Sequence, residues 1–143
     1  MAIDTGGHGY RRVSLCMSKV YLVDSAVEVR RRLARLLGTI AGVEVAGEAE
    51  DADAALEGIL ASDAQIAVLD LRLTGGNCLE LIEALSNARP SLVVIVLTNY
   101  SARPFRDACI AAGADFFFDK TSELDAACRA IEAIARARCA RPR

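Results

Sequence analysis

Apolar and polar positions along the chain fall into two alternating patterns. Short apolar runs, Val20–Asp24, Gln65–Asp70, Ser91–Thr98 and Asp115–Lys120, are each bounded by polar or glycine residues, as strands buried on both faces of a parallel sheet are. Val43 to Ala49 alternates instead, which suits an edge strand. Between these runs the apolar residues recur at helical spacing. Val29, Leu33, Leu36 and Leu37 mark a helix over Ala26 to Leu37, stopped by Gly38. Leu56, Ile59 and Leu60 mark a second from Asp51, an N-cap type, to Ala61. Leu79, Leu81, Ile82 and Leu85 mark a third over Asn77 to Ala88, ended before Pro90. Pro104 opens a fourth that closes at Gly113, and Ser122 precedes a fifth containing Leu124, Cys128, Ile131 and Ile134.

Five strands alternating with five helices predict an α/β fold, a doubly wound five-stranded parallel sheet with helices on both faces. The β-branched run Ser91–Thr98 is expected at its centre. Residues 1–18, with Gly6, Gly7, Gly9 and the lone His8, lack periodicity and read as a flexible N-terminal tail, possible non-native sequence given the second methionine, Met17. The folded domain is expected over 19–138, with residues 139–143 a basic C-terminal tail.

Composition narrows the chemistry. A chain of 143 residues with a net charge of −2 builds one core and lacks the basic excess of a nucleic-acid-binding domain. Arg30, Arg31, Arg32 and Arg35 read as a solvated helix face. No apolar stretch approaches the ~20 residues that span a bilayer. Five cysteines without metal-ligand spacing or a secretory segment point to reduced thiols and a cytoplasmic location, with Cys78 a packing residue. There is no glycine-rich phosphate loop and no Ser/His/Asp set for a small hydrolase or nucleotide-binding protein.

Four strands finish in a functional group: Asp24, Asp70, Thr98 and Lys120. A parallel sheet places all four on its carboxyl edge, where α/β folds bind ligands. Carboxylates suit Mg²⁺, an ammonium and a hydroxyl suit phosphoryl oxygens, and a carboxylate can itself attack phosphorus.

From Lys19 to about Ala137 the chain resembles the receiver domain of two-component response regulators, of flavodoxin-like fold. The resemblance rests on Val23-Asp24, Val68-Leu69-Asp70, Leu97-Thr98, Ala112-Gly113-Ala114-Asp115 and Phe118-Asp119-Lys120. Their spacing agrees, with Thr98 28 residues after Asp70 and Lys120 22 after Thr98. The resemblance implies that Asp70 accepts a phosphoryl group from a histidine kinase or histidine phosphotransfer protein. Asp24, Asp70 and the Arg72 backbone carbonyl would hold Mg²⁺, with Ser25 a weak additional ligand; Lys120 would pair with phosphoryl oxygens and Thr98 would hydrogen-bond them. Phe117 and the surface from Tyr100 to Ala114 would form the face that responds and signals to a downstream protein target. Catalysis would be confined to the domain's own phosphorylation and dephosphorylation, so a conventional enzyme is not expected.

The departures are specific. Ser25 stands where the family usually has a second acidic residue, which lowers the negative charge available to Mg²⁺. Thr121 replaces the usual proline after the lysine, Thr74 a loop proline and Cys78 a loop glycine. Asn99, Arg72 and Tyr100 add bulk around the site, which predicts slow hydrolysis of any phosphoryl group. The alternative these departures support is a pseudo-receiver, a phosphorylation-independent interaction module. The short segment after the fifth helix suggests a stand-alone receiver without nucleic-acid or membrane contacts, and the fold leaves room for a homodimer.

Overall fold

The computed structural model describes residues 16–140, and within them the sheet and helices follow the hydrophobic pattern closely. In chain order the elements are β1 (Ser18–Val23), α1 (Val27–Gly38), β2 (Val43–Ala49), α2 (Ala52–Ala61), β3 (Ile66–Leu69), α3 (Cys78–Ala88), β4 (Val93–Thr98), α4 (Arg103–Ala112), β5 (Phe116–Asp119) and α5 (Leu124–Ala140). All strand pairs are parallel, in the order β2-β1-β3-β4-β5. The alternating strand β2 takes an edge, as its half-polar pattern requires. β3 occupies the centre; β4, expected there from its β-branched run, lies one place off, between β3 and β5. β-branched content marks a strand as interior but does not rank interior strands.

Successive strand residues point to opposite faces, and so the core has two layers. Tyr21, Val23, Ala67, Leu69, Val94, Val96 and Phe117 pack beneath α2, α3 and α4, with Ile59, Ile82, Leu85 and Cys109 above them. Val20, Leu22, Ile66, Val68, Ile95 and Leu97 pack on the other face against Leu33 and Leu37 of α1 and Ala127, Ile131 and Ala135 of α5. Each large side chain fully buried here contributes about 1.5–3 kcal/mol.

Local chemistry sets the element ends. The Asp51 carboxylate accepts the Ala54 N–H at 2.8 Å, and Asn77 accepts from Leu79 and Glu80 at 2.8 and 3.3 Å, so α2 and α3 start with side-chain caps. Gly76 has a φ of 87°, and a Cβ there would lie 2.5 Å from the Ala52 side chain. This glycine lets the β3–α3 loop, which carries Arg72, fold against the start of α2.

At the other end of the sheet the structure departs from expectation. Ser18, assigned to the tail, opens β1 and is fully buried, and α5 continues through Ala140 rather than yielding to a tail at 139. Cys16 and Cys139 form a disulfide across a sequence separation of 123 residues, which corrects the expectation of five reduced thiols. Only the packing of α5 beside β1 brings them together, and no local spacing signals it. Cys78, Cys109 and Cys128 are free. The remainder of the expected tails, 1–15 and 141–143, lies outside the described residues.

Candidate functional site

The carboxyl edge gathers its charges around one amine. The Lys120 ammonium, just after β5, donates to Asp24 Oδ2 at 2.6 Å and to Asp70 Oδ2 at 2.7 Å. The three side chains are 14%, 4% and 11% exposed, so the pairing is shielded from bulk water and from salt. Burial alone would depress the Lys120 ammonium. The hydrogen bonds and charges of Asp24 and Asp70 outweigh it and hold its pKa above the usual lysine range.

The backbone explains how these groups meet. Asp24 and Asp70 follow the adjacent parallel strands β1 and β3, and the Asp70 N–H donates to the Val23 carbonyl at 3.0 Å. The Lys120 N–H bonds the Thr98 carbonyl at 2.8 Å, tying the lysine to the end of β4. Asp119 shapes the turn beyond. Its carboxylate accepts the Ser101 hydroxyl and the Thr121 and Ser122 N–H groups, and these bonds, the Ser101 one foremost, lower its pKa to about 2.

A cleft of about 420 Å³ opens over the carboxylates, lined by Asp24, Ser25, Ala26, Val29, Asp70, Arg72, Asn99, Tyr100 and Lys120. Seven of the residues singled out from sequence are therefore together. Ser25 Oγ donates to the Arg72 carbonyl at 3.1 Å, so the replacement for an acidic residue binds the very carbonyl named as a metal ligand. The Arg72 guanidinium lies 5.3 Å from the Tyr100 ring centre, within cation–π range, and Asn99 accepts from the Thr121 hydroxyl at 2.9 Å.

Thr98 and Phe117 do not line the cleft. Thr98 is fully buried and its hydroxyl accepts the Tyr100 N–H at 3.1 Å. Phe117 is a core residue beneath α4, with the Arg106 guanidinium 5.9 Å from its ring centre. Cys78 is buried near this edge, and burial pushes its thiol up to about 12, which keeps it protonated and unreactive.

The oxygen donors suit Mg²⁺: two carboxylates, a main-chain carbonyl and a hydroxyl are hard ligands around one cleft. Among the described residues no cluster of three or more His, Cys, Asp or Glu forms, so this is a site of only two carboxylates. Sequence reading missed Arg30. Expected on a solvated face, it is half-buried, and its guanidinium donates to the Asp24 carbonyl at 2.6 Å and to Glu48 at 3.0 Å. Its helical position gave no sign of this, because Glu48 comes from another strand.

A family model for the response regulator receiver domain matches residues 20–132. The chain belongs to the response regulator receiver family. This receiver is 35% identical to the DNA-binding transcriptional activator DevR/DosR of Mycobacterium tuberculosis over 85% of its own length and 56% of the relative's. It is 32% identical to the nitrate/nitrite response regulator NarP of Escherichia coli over 82% of the chain and 55% of NarP. The chain thus spans about half the length of the curated relatives it matches. Among solved structures it resembles the receiver domain of NarL from M. tuberculosis, with a TM-score of 0.77 at 26% identity, covering 84% of this chain and 97% of that one. A LuxR-family response regulator from Aurantimonas gives a TM-score of 0.78 at 27% identity, covering 85% and 86%. No described helix is long and apolar enough to cross a membrane.

Proposed function

We propose that this receiver takes a phosphoryl group onto Asp70 from a histidine kinase or histidine phosphotransfer protein and signals by protein contact. The observation that carries the reading is the single ammonium of Lys120 held between Asp24 and Asp70 in an open cleft. An Asp70 carboxylate oxygen attacks phosphorus, the new O–P bond forms as the P–N bond to the donor imidazole breaks, and the electron pair returns to that nitrogen. Lys120, already positioned by Asp24, remains charged and pairs with the phosphoryl oxygens.

Asp24, Asp70 and the Arg72 carbonyl would hold Mg²⁺, with Ser25 adding at most a neutral oxygen. The ion supplies charge neutralisation at the phosphoryl oxygens. The Thr98 hydroxyl, which accepts the Tyr100 N–H, keeps its own proton to donate to a phosphoryl oxygen, and its movement toward the cleft would carry the change to Tyr100 and to Phe117 on the neighbouring strand. The Arg72–Tyr100 pair at the mouth restricts water and favours a long-lived aspartyl phosphate. A cytoplasmic place of action belongs to this reading, and alkylation and mass analysis of protein taken from cells reports whether the Cys16–Cys139 bridge persists there.

Intact mass after incubation with acetyl phosphate and Mg²⁺ tests the proposal. One phosphoryl group is expected on the wild type and none on Asp70→Ala. The engaged Ser25 hydroxyl favours one other reading, a pseudo-receiver whose metal site has decayed. Absence of the adduct in the wild type, with Ser25→Asp restoring it, selects that reading.

A further inference from the structure

Arg30 is the fourth residue of α1, a helix whose N-cap residue, Ala26, supplies no side-chain cap. A cation near a helix N-terminus opposes the helix dipole, so its position there is not explained by helix stability. The side chain turns back toward the end of β1. One arm of the guanidinium donates to the Asp24 carbonyl at 2.6 Å, and Nε donates to Glu48 Oε1 at 3.0 Å. It is 14% exposed and Glu48 34%, so the partner on β2 both neutralises and steers it.

With this contact every polar group of Asp24 is held. Its N–H donates to the Ala49 carbonyl at 3.1 Å, Oδ1 accepts the Ala26 N–H at 2.9 Å, Oδ2 accepts Lys120 at 2.6 Å, and the carbonyl accepts Arg30. Arg30 is the contact that fixes the peptide leading from Asp24 into Ser25, and therefore the direction of both residues on that wall of the cleft.

We infer that Arg30, tethered by Glu48, is a positioning residue that aligns Asp24 for a divalent cation. The inference rests on the Mg²⁺-dependent phosphoacceptor reading. In a site with only two carboxylates, alignment of each matters more than where a third shares the load. Two effects of removing Arg30 have opposite sign: lost alignment weakens cation binding, whereas lost positive charge strengthens it. Deleting Arg30 also frees the Glu48 carboxylate, but that side chain is 34% exposed and its charge is screened by solvent and salt, so alignment dominates.

Mg²⁺ affinity measured by calorimetry, together with the Mg²⁺ dependence of phosphoryl uptake from acetyl phosphate, decides the matter. Arg30→Ala should need about tenfold more Mg²⁺, the scale on which outer-shell partners act, and reach the wild-type adduct level at saturation. Arg30→Lys, which keeps the charge but loses the planar fork that spans the two acceptors, should fall between. Glu48→Gln should shift in the same direction. An Arg30→Ala protein that binds Mg²⁺ as tightly as the wild type, or more tightly, overturns the inference even if its melting temperature falls, since a merely structural brace behaves so. A wild type that binds no Mg²⁺ also overturns it. A wild type that binds Mg²⁺ but takes no phosphoryl group defeats the functional reading, while the calorimetric comparison still judges Arg30.

Discussion

The two edges of the sheet are both rich in polar groups and use them in opposite ways. At the amino edge several of these groups end on partners that close the structure. Arg89 donates to the carbonyls of Ile59 and Leu60 in the last turn of α2 and of Ser62 and Ala64 just beyond it. Arg138 donates to the buried Ser18 hydroxyl at 2.9 Å, Lys19 pairs with Asp63 at 2.9 Å, and Cys16 is bonded to Cys139. At the carboxyl edge two carboxylates share one ammonium beside a cleft, an arrangement that an added anion or cation can rebalance. One edge spends charge on backbone carbonyls and stability; the other keeps charges facing one another, which is the condition for a chemical response. Mutations should therefore separate, the amino edge moving stability and the carboxyl edge moving chemistry.

The largest expected effect is from Lys120→Met, which should reduce the rate of phosphoryl uptake by about 10²–10³-fold, the scale for losing one preorganised charge partner. The same variant tests pH dependence. Because the folded pKa of Lys120 is raised, its contribution to stability is complete below the unfolded value near ~10.4 and is lost as pH rises through the higher folded value. The urea midpoint of the wild type should thus fall more steeply than that of Lys120→Met in strongly alkaline solution. Equal slopes would show that the amine is not held as described.

Cys139→Ser comes next, at the other edge. Opening a long covalent loop should cost about 2–4 kcal/mol in denaturant unfolding under non-reducing conditions, with phosphoryl uptake unchanged. A fall in uptake would break the separation of the two edges. Arg89→Ala should cost about 2 kcal/mol, because it leaves carbonyls near the end of α2 without their charged donor, again with uptake unchanged.

The smallest effect sharpens the carboxyl edge itself. Ser25→Asp should lower the Mg²⁺ concentration for half-maximal uptake about tenfold, or ~1.4 kcal/mol, by adding a third carboxylate beside Asp24 and Asp70. A titration that does not move would mean that the side chain at position 25 stays on the Arg72 carbonyl and away from the cation.

Hydrophobic periodicity by itself determined the five strands, the five helices and the parallel sheet, because burial on one or both faces of an element leaves a repeat of 2 or 3.6 in the chain. It also placed Asp24, Asp70 and Lys120 at one edge, since parallel strands must end on the same side. What only the tertiary structure decided are contacts between elements remote in sequence. The inward turn of the Thr98 hydroxyl depends on the Tyr100 amide, and the Ser25 bond to the Arg72 carbonyl depends on how the β3–α3 loop folds over Gly76. Arg30 looked like one more solvated arginine until β2 brought Glu48 beside it. The Cys16–Cys139 bridge joins two residues 123 apart, and no local pattern in the chain can encode that distance. Side-chain periodicity reports which face of an element is buried; the partner on that face is set by packing.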